Sequence, residues 1–205
     1  MRSVLILVGV AIAGAVVVGL LRSLRSDRRG GLDPFTVGEP WRQFVQGATR
    51  SGTKLHQTID AAAPGPLRNR MESIAGRLDD GLEETWTIAR RGDQIDDTIR
   101  RLDPTALRSK LATLEARAAA SSTPDIDAAV TSVQDQLESV RRLELESKKT
   151  ADRLRLTQTR LDELVSRAAE VAVGAGDTDL YEHDVDDLVI ELEALRQAVD
   201  ETNRP

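Results

Sequence analysis

The stretch PDIDAAVTSVQDQLESVRRLELESKKTADRLRLTQTRLDELVSRAAEVAV, residues 124–173, decides the fold. Its apolar residues recur at alternating spacings of four and three, the heptad pattern by which helices pack into coiled coils. The pattern crosses a polar interruption at Glu144 and Ser147 and then resumes. The core positions are Ile126, Val130, Val133, Leu137, Val140, Ala151, Leu154, Gln158, Leu161, Val165 and Ala168. At about 1.5 Å per residue, one helix of this length spans roughly 75 Å.

A second helical segment of similar length precedes this one. Residues 66–121 carry apolar side chains at helical spacing, with a break near Asp103 because a residue before proline avoids the helical conformation. Residues 121–124 combine a turn, a capping threonine and a proline at the first helical position. We therefore predict that residues 66–173 form a long antiparallel coiled-coil hairpin with its tip near residues 121–124. A parallel homodimer through residues 124–173 is the alternative.

Two shorter amphipathic segments flank the hairpin. Residues 40–62 and residues 184–202 carry apolar side chains at three- and four-residue spacing, and residues 174–183 predict an acidic loop. Only 2% of the residues are aromatic and 30% are charged, a composition typical of long helices. We predict an all-α fold in which the shorter helices thicken the base of the hairpin into a three- or four-helix bundle. The base is expected next to the membrane and the tip away from it.

Glycines on the apolar face of the first hairpin segment predict close helix packing. A partner helix can approach the backbone at Gly81 and Gly92, because neither residue carries a side chain. Trp86 lies at the edge of this small-residue patch. We interpret it as the large core anchor of the bundle, with a binding groove as the alternative.

Trp41 and Phe44 present a similar choice on the apolar face of residues 40–62. Packing of both aromatic rings inside the bundle is the favoured interpretation. The alternative is a helix that lies in the membrane interface, anchored by these rings and flanked by basic residues. Those basic residues are Arg42, Arg50 and Lys54.

An uncharged apolar run near the N-terminus, VLILVGVAIAGAVVVGLL at residues 4–21, predicts a single transmembrane helix. A cleavable signal peptide is the alternative, since Ala-Ile-Ala at residues 11–13 resembles a cleavage site. Apolar residues continue beyond that site to Leu21, which favours a retained span.

Small residues recur at four-residue spacing within this run. Ala11, Ala15 and Gly19 predict a face on which two membrane helices pack closely, unless the spacing is fortuitous. Such packing would permit a homodimer of the whole chain.

The charges that flank the apolar run predict its orientation. Arg2 alone precedes it, whereas four arginines follow it within residues 22–39. Because cytoplasmic flanks carry the excess of basic residues, we expect a single-pass protein of the cell membrane with most of the chain in the cytoplasm. Residues 22–39 also contain glycine and proline and are interpreted as a juxtamembrane linker.

The sequence contains no pattern that predicts catalysis, a cofactor or a metal ion. Residues 177–187 begin like a calcium-binding loop, but Glu182 stands where that loop requires glycine and Leu188 where it requires glutamate. Ser51 and Lys54 match a Ser-x-x-Lys motif without the other motifs of penicillin-recognising enzymes. The absence of cysteine and a net charge of −6 argue against thiol chemistry and against nucleic-acid binding.

Several short motifs are spread over most of the chain. They are Asp-Pro-Phe-Thr-Val-Gly-Glu-Pro-Trp at residues 33–41, Gly-Pro-Leu at 65–67, Glu-Thr-Trp at 84–86, Ala-Arg-Arg-Gly at 89–92 and Leu-Glu-Ala-Leu-Arg-Gln at 192–197. On these motifs the chain resembles a family of uncharacterised, single-span helical membrane proteins of actinobacteria. The resemblance implies an anchored helical body and adds no activity, cofactor or site residue. In layout alone the chain is also similar to septation-ring regulators, which place one span before cytoplasmic helical bundles.

These features together lead to an expected function. We expect a membrane-anchored cytoplasmic coiled-coil adaptor or scaffold that binds a protein partner and performs no catalysis. A peripheral lipid or envelope-stress sensor that uses the amphipathic helix at residues 40–62 is the alternative.

Overall fold

A computed structural model of the chain describes residues 34–201, and the regular structure in this range is entirely helical. The predicted all-α class is therefore confirmed for the described residues. Within them, no helix combines the length and the apolar composition needed to cross a bilayer. The predicted span at residues 4–21, with its Ala11, Ala15 and Gly19 face, lies outside the described residues.

Five α-helices follow a short 3₁₀ turn at Pro34–Thr36. They are α1 Trp41–Ala61, α2 Pro66–Leu102, α3 Pro104–Ala120, α4 Pro124–Ala172 and α5 Thr178–Glu201. Local chemistry accounts for most of their boundaries. Proline occupies the first position of α2, α3 and α4, where its missing N–H costs no helical hydrogen bond.

Capping side chains define the break between α2 and α3 and the turn at the hairpin tip. Asp103 takes the left-handed conformation at φ 45°, and its carboxylate accepts a hydrogen bond from the backbone N–H of Ala106 at 3.0 Å. Thr123 caps α4 by accepting from the N–H of Ile126 at 3.3 Å. These caps end α2 at Leu102 and restart the chain as α4 after the turn.

The last helix begins earlier than the sequence predicts. α5 starts at Thr178, so most of the acidic loop predicted at residues 174–183 is helical. The carboxylate of Asp177 accepts hydrogen bonds from the N–H groups of Asp179 and Leu180, at 2.9 and 3.2 Å. Acidic residues favour the positive end of a helix, which makes this segment a helix start and not a loop.

Four helical segments form a bundle, which we call the body: α1, α2, α5 and residues 147–172 of α4. α1 is antiparallel to α2, because Trp41 contacts Asp96 and His56 contacts Asp79. α1 runs parallel to α4, since Phe44 lies beside Arg155 and Ser51, two turns later, bonds Asp162, two turns later on α4. One continuous apolar core joins these segments.

The rest of the hairpin, α3 with residues 124–140 of α4, extends beyond the body and is called the arm. α3 is about 25 Å long at 1.5 Å per residue, and none of its side chains is buried. The chain reaches α1 at the end of the body from which the arm projects, because Trp41 lies beside Asp96 and not beside the loop that joins α1 to α2. The 21 residues of α1 then run to the opposite end of the body, where the chain enters the hairpin at Pro66, away from the tip.

Candidate functional site

One buried aromatic side chain, Trp41, holds the start of α1 against α2 close to the arm. Trp41 is fully buried, and its ring packs directly on Gly92 of α2. A Cβ at Gly92 would overlap the ring, so only glycine allows this contact. The sequence singled out both residues for helix packing, and the structure places them against each other.

A shared carboxylate completes this contact. Asp96 accepts a hydrogen bond from Nε1 of Trp41 at 2.7 Å and another from Oγ of Ser147 at 2.6 Å. One turn away, the N–H of Gly38 donates to Asp93 at 3.0 Å. We call these residues, with Gly92, the junction. It ties the segment before α1 to α2 and α4 where the arm begins.

Sequence reasoning missed the polar half of the junction. Asp96 has the appearance of an ordinary acid on a helix flank, and its role depends on a tryptophan 55 residues earlier. Ser147 gave a usable signal, because it interrupts the apolar heptad positions of α4. A polar residue at a core position requires a hydrogen-bond partner when it is removed from water, and Asp96 is that partner.

Trp41 packs inside the bundle as expected, and it also takes the role of large core anchor that the sequence assigned to Trp86. Trp41 is the large, fully buried anchor, whereas Trp86 is half-buried at the edge of the core. The guanidinium of Arg90 lies 5.4 Å from the centre of the Trp86 ring and shields one face of it. Gly81 admits α5 as the sequence predicted, since a Cβ there would lie 3.1 Å from Val189.

Phe44 also faces the body. Its ring meets Trp41 edge to face with 6.2 Å between ring centres, and Arg155 covers it at 5.9 Å. Only 8% of Phe44 is exposed. While α1 is packed in the body, neither aromatic ring can serve as a membrane anchor.

A shallow groove of about 450 Å³ follows the line between α1 and α4. Ser51 is buried there and donates to the carboxylate of Asp162 at 2.6 Å, and the amide of Gln158 donates to both. This network contains no histidine to act as a base, and the Ser51 hydroxyl turns toward Asp162 instead of Lys54. These hydrogen bonds link α1 to α4, and each polar group of the network has a partner within it.

Charged residues on α5 pair with arginines of α2. Glu182 accepts hydrogen bonds from Arg70 at 2.6 Å and from Arg77 at 2.7 Å. These bonds lower the pKa of Glu182, and the partnership raises the pKa of Arg70. In residues 34–201, no group of three or more histidine, aspartate and glutamate side chains is arranged to hold a metal ion.

Comparison with known proteins adds no relative. The chain matches no family model, and no curated protein or solved structure is significantly similar to it.

The arm is lightly packed, since none of the residues of α3 is buried. Its apolar side chains line one seam between α3 and α4, but the seam is only partly closed. Val133 and Val140 are buried, whereas the other members of the seam stay half-buried. Those half-buried members are Leu107, Leu111, Leu114, Ile126, Val130 and Leu137.

Proposed function

We propose that this protein is a membrane-anchored helical scaffold that uses its arm to bind a protein partner and that it works by binding instead of catalysis. The arm carries the proposal. It extends two helices out of an already closed body, and α3 buries none of its side chains. A surface of this kind contributes little to the fold, so its natural use is contact with another molecule.

The shape of the arm suggests how such a partner is held. The leucines along the seam between the two antiparallel helices are half-buried, so the groove between the helices keeps some apolar surface exposed. A third amphipathic helix in that groove would bury these leucines from a second direction. The exposed charges on both flanks would set the partner's register.

The anchor and the junction complete the proposed scaffold. The apolar run at residues 4–21 supports a membrane attachment, and the arginines after it support a cytoplasmic body. Trp41 and Asp96 join the start of α1 to α2 near the base of the arm. In this proposal the junction holds the arm in a fixed direction relative to the segment that leads from the anchor.

Removal of the arm tests the proposal. A variant that lacks only residues 104–139, with a short glycine linker from Asp103 to Val140, retains every helix of the body. Proximity labelling in cells with the intact chain should give a reproducible small set of partners, and the shortened chain should lose that set. The melting temperature of the body should remain close to that of the intact chain, which separates loss of binding from loss of folding.

A matched control changes exposed apolar surface on the body alone. Ile190 is 64% exposed on α5, so Ile190→Ala should leave the labelled set unchanged. A labelled set that survives removal of the arm would overturn the proposal. The alternative lipid sensor has a further requirement: α1 must leave the body before Trp41 and Phe44 can reach a bilayer.

A further inference from the structure

We infer that the arm pairs with the arm of a second copy of this chain, so that α3 of each copy packs on α4 of the other. This inference rests on the proposed binding role of the arm and names its partner. Three observations carry it: the charges of the two arm helices, their lack of pairing within one copy, and the partly open apolar seam.

The two helices of the arm carry opposite charges. α3 has three basic residues and one acid, Glu115, which gives a net charge of +2. Residues 124–140 of α4 have four acids and no basic residue, which gives −4. The basic residues are Arg108, Lys110 and Arg117, and the acids are Asp125, Asp127, Asp135 and Glu138.

These charges lie at matching heights but do not pair within one copy. The Asp96–Ser147 hydrogen bond and the turn at residues 121–123 set the register of the hairpin. In that register Arg108 is level with Asp135, and Arg117 is level with Asp127. Among the described residues, nevertheless, no ion pair joins α3 to α4; Glu138 pairs with Arg141 of its own helix, and Asp127 accepts from Ser122.

A two-fold arrangement satisfies both helices at once. When α3 of one copy lies on α4 of the other, symmetry creates two identical interfaces, each between a basic and an acidic helix. This arrangement requires the two arms to run in the same direction, with the two-fold axis along them, because an axis across the arms would place α3 on α3 and α4 on α4. A partner with one charge sign would match one arm helix and repel the other.

The apolar seam fits the same arrangement. Leu107, Leu111 and Leu114 are half-buried in a two-helix arm, because only α4 covers them. Two arms together form a four-helix bundle, in which a seam of this kind becomes the shared core. The second copy would therefore provide opposite charges for both arm helices and would bury the half-exposed leucines of the seam.

Crosslinking of full-length chains tests the inference. The chain has no cysteine, so Ala112→Cys in one preparation and Ser132→Cys in another give unique labels. Both residues are exposed and lie midway along the arm, so they become neighbours when α3 of one copy packs on α4 of the other. Mixed in detergent micelles and treated with a bifunctional maleimide, the two preparations should form a crosslinked dimer.

Charge reversal gives the decisive comparison. One set replaces the three basic residues of α3 by glutamate; the other replaces Asp125, Asp135 and Glu138 of α4 by lysine. When both labelled chains carry the same set, crosslinking should fall about tenfold because both interfaces become repulsive. When a chain with the α3 set is mixed with a chain with the α4 set, opposite charges face again and crosslinking should return to within about twofold of the original.

A control reverses three exposed basic residues on the body, Arg50, Lys54 and Lys148, and should leave crosslinking unchanged. The inference is overturned if reversed chains crosslink as well as the original, or if the mixture fails to recover. The proposed function is judged separately. Loss of the labelled partners on arm removal without crosslinking of intact chains would leave the scaffold standing and remove the second copy. If crosslinking recovers in the mixture but the labelled set does not change when the arm is removed, the second copy stands and the proposed scaffold function fails.

Discussion

The body and the arm share the helix α4 but use its heptad repeat differently. In the body, Leu154, Leu161 and Ala168 of α4 are almost completely buried among three other helices. In the arm the same repeat meets α3 alone, and only Val133 and Val140 are buried. The number of neighbouring helices decides how much of an apolar stripe is removed from water, although the spacing along the sequence is the same.

Because of this difference, the body provides most of the folding free energy, whereas the arm provides exposed surface. Burial of apolar area is the main favourable term in folding, so most of the folding free energy comes from the body. The arm retains exposed helix faces, and no ion pair joins α3 to α4 among the described residues, which leaves these faces open to a partner. Perturbations of the body should therefore alter the free energy of unfolding, whereas those of the arm should alter binding.

The largest effect should come from Gly92→Ala at the junction. The added methyl group would overlap the buried ring of Trp41, which has no space to move. We expect the free energy of unfolding to fall by about 3 kcal/mol, at the upper end for an overpacked core. Urea denaturation followed by tryptophan fluorescence measures it.

The matching change in the arm is Ala112→Val, which adds carbon atoms to an exposed position of α3. It should cost only the helix propensity of valine, about 0.6 kcal/mol. If Gly92→Ala unfolds at the same urea concentration as the original chain, Trp41 does not hold the junction in the way described here.

Leucine truncation should give the next largest difference between the two parts. Leu192 of α5 is completely buried against α2, and Leu111 of α3 is half-buried. Leu192→Ala should lower the free energy of unfolding by about 3 kcal/mol, because it loses burial and leaves a cavity. Leu111→Ala should cost about 1 kcal/mol at a protein concentration low enough to prevent association, since solvent already reaches that side chain. Equal losses in urea denaturation would mean that the arm is as tightly packed as the body.

Local sequence signals were sufficient for the helix ends and for the long repeat. Asp103 before Pro104 and Thr123 before Pro124 act through atoms within a few residues, so their capping roles follow from the sequence. The heptad positions of α4 likewise predict which face is apolar. Each of these inferences needs only the geometry of one helix.

The partnerships between helices could not be predicted in this way. Trp41 and Trp86 both lie on apolar faces, and their different burial depends on where α4 and α5 pack. Asp96 gains its role only when Trp41 and Ser147 arrive from distant parts of the chain. For the same reason, the repeat of α4 does not reveal that its first part has one neighbour and its second part three.

Tyr181 should give a smaller effect of the opposite sign. It is 2% exposed in the body, and its hydroxyl has no hydrogen-bond partner among the described residues. Because an unsatisfied buried hydroxyl is unfavourable, Tyr181→Phe should raise the free energy of unfolding by about 1 kcal/mol at neutral pH. Urea denaturation of the two proteins measures this gain, and a lower stability of the phenylalanine variant would indicate a partner for the hydroxyl.

The same residue predicts an alkaline effect. Burial raises the pKa of Tyr181 to about 12 from an ordinary value of 10.0. Above pH 10 the unfolded chain releases this proton while the folded chain keeps it, so the original protein should lose stability as the pH rises toward 12. The phenylalanine variant should lack this contribution. Tyr181 is the only tyrosine, so phenolate absorbance of the folded protein reports its titration directly.

The smallest effect should come from the surface charges, where the body and the arm differ once more. Hydrogen bonds from Arg70 and Arg77 lower the pKa of Glu182 below its usual 4.5. The stabilisation is therefore present above that usual value and is lost as the pH falls through the lower pKa of the folded state. Glu182→Gln should reduce stability slightly at neutral pH, less so in high salt, and not at all in acid.

Glu115 in the arm is the control for this last change, because no ion pair holds it among the described residues. Glu115→Gln should leave the free energy of unfolding of a single chain unchanged at neutral pH. A loss of stability at Glu115 in dilute, unassociated protein would show that this carboxylate has a partner within its own chain. A loss at Glu182 alone would mean that charge is satisfied within the body and left open in the arm.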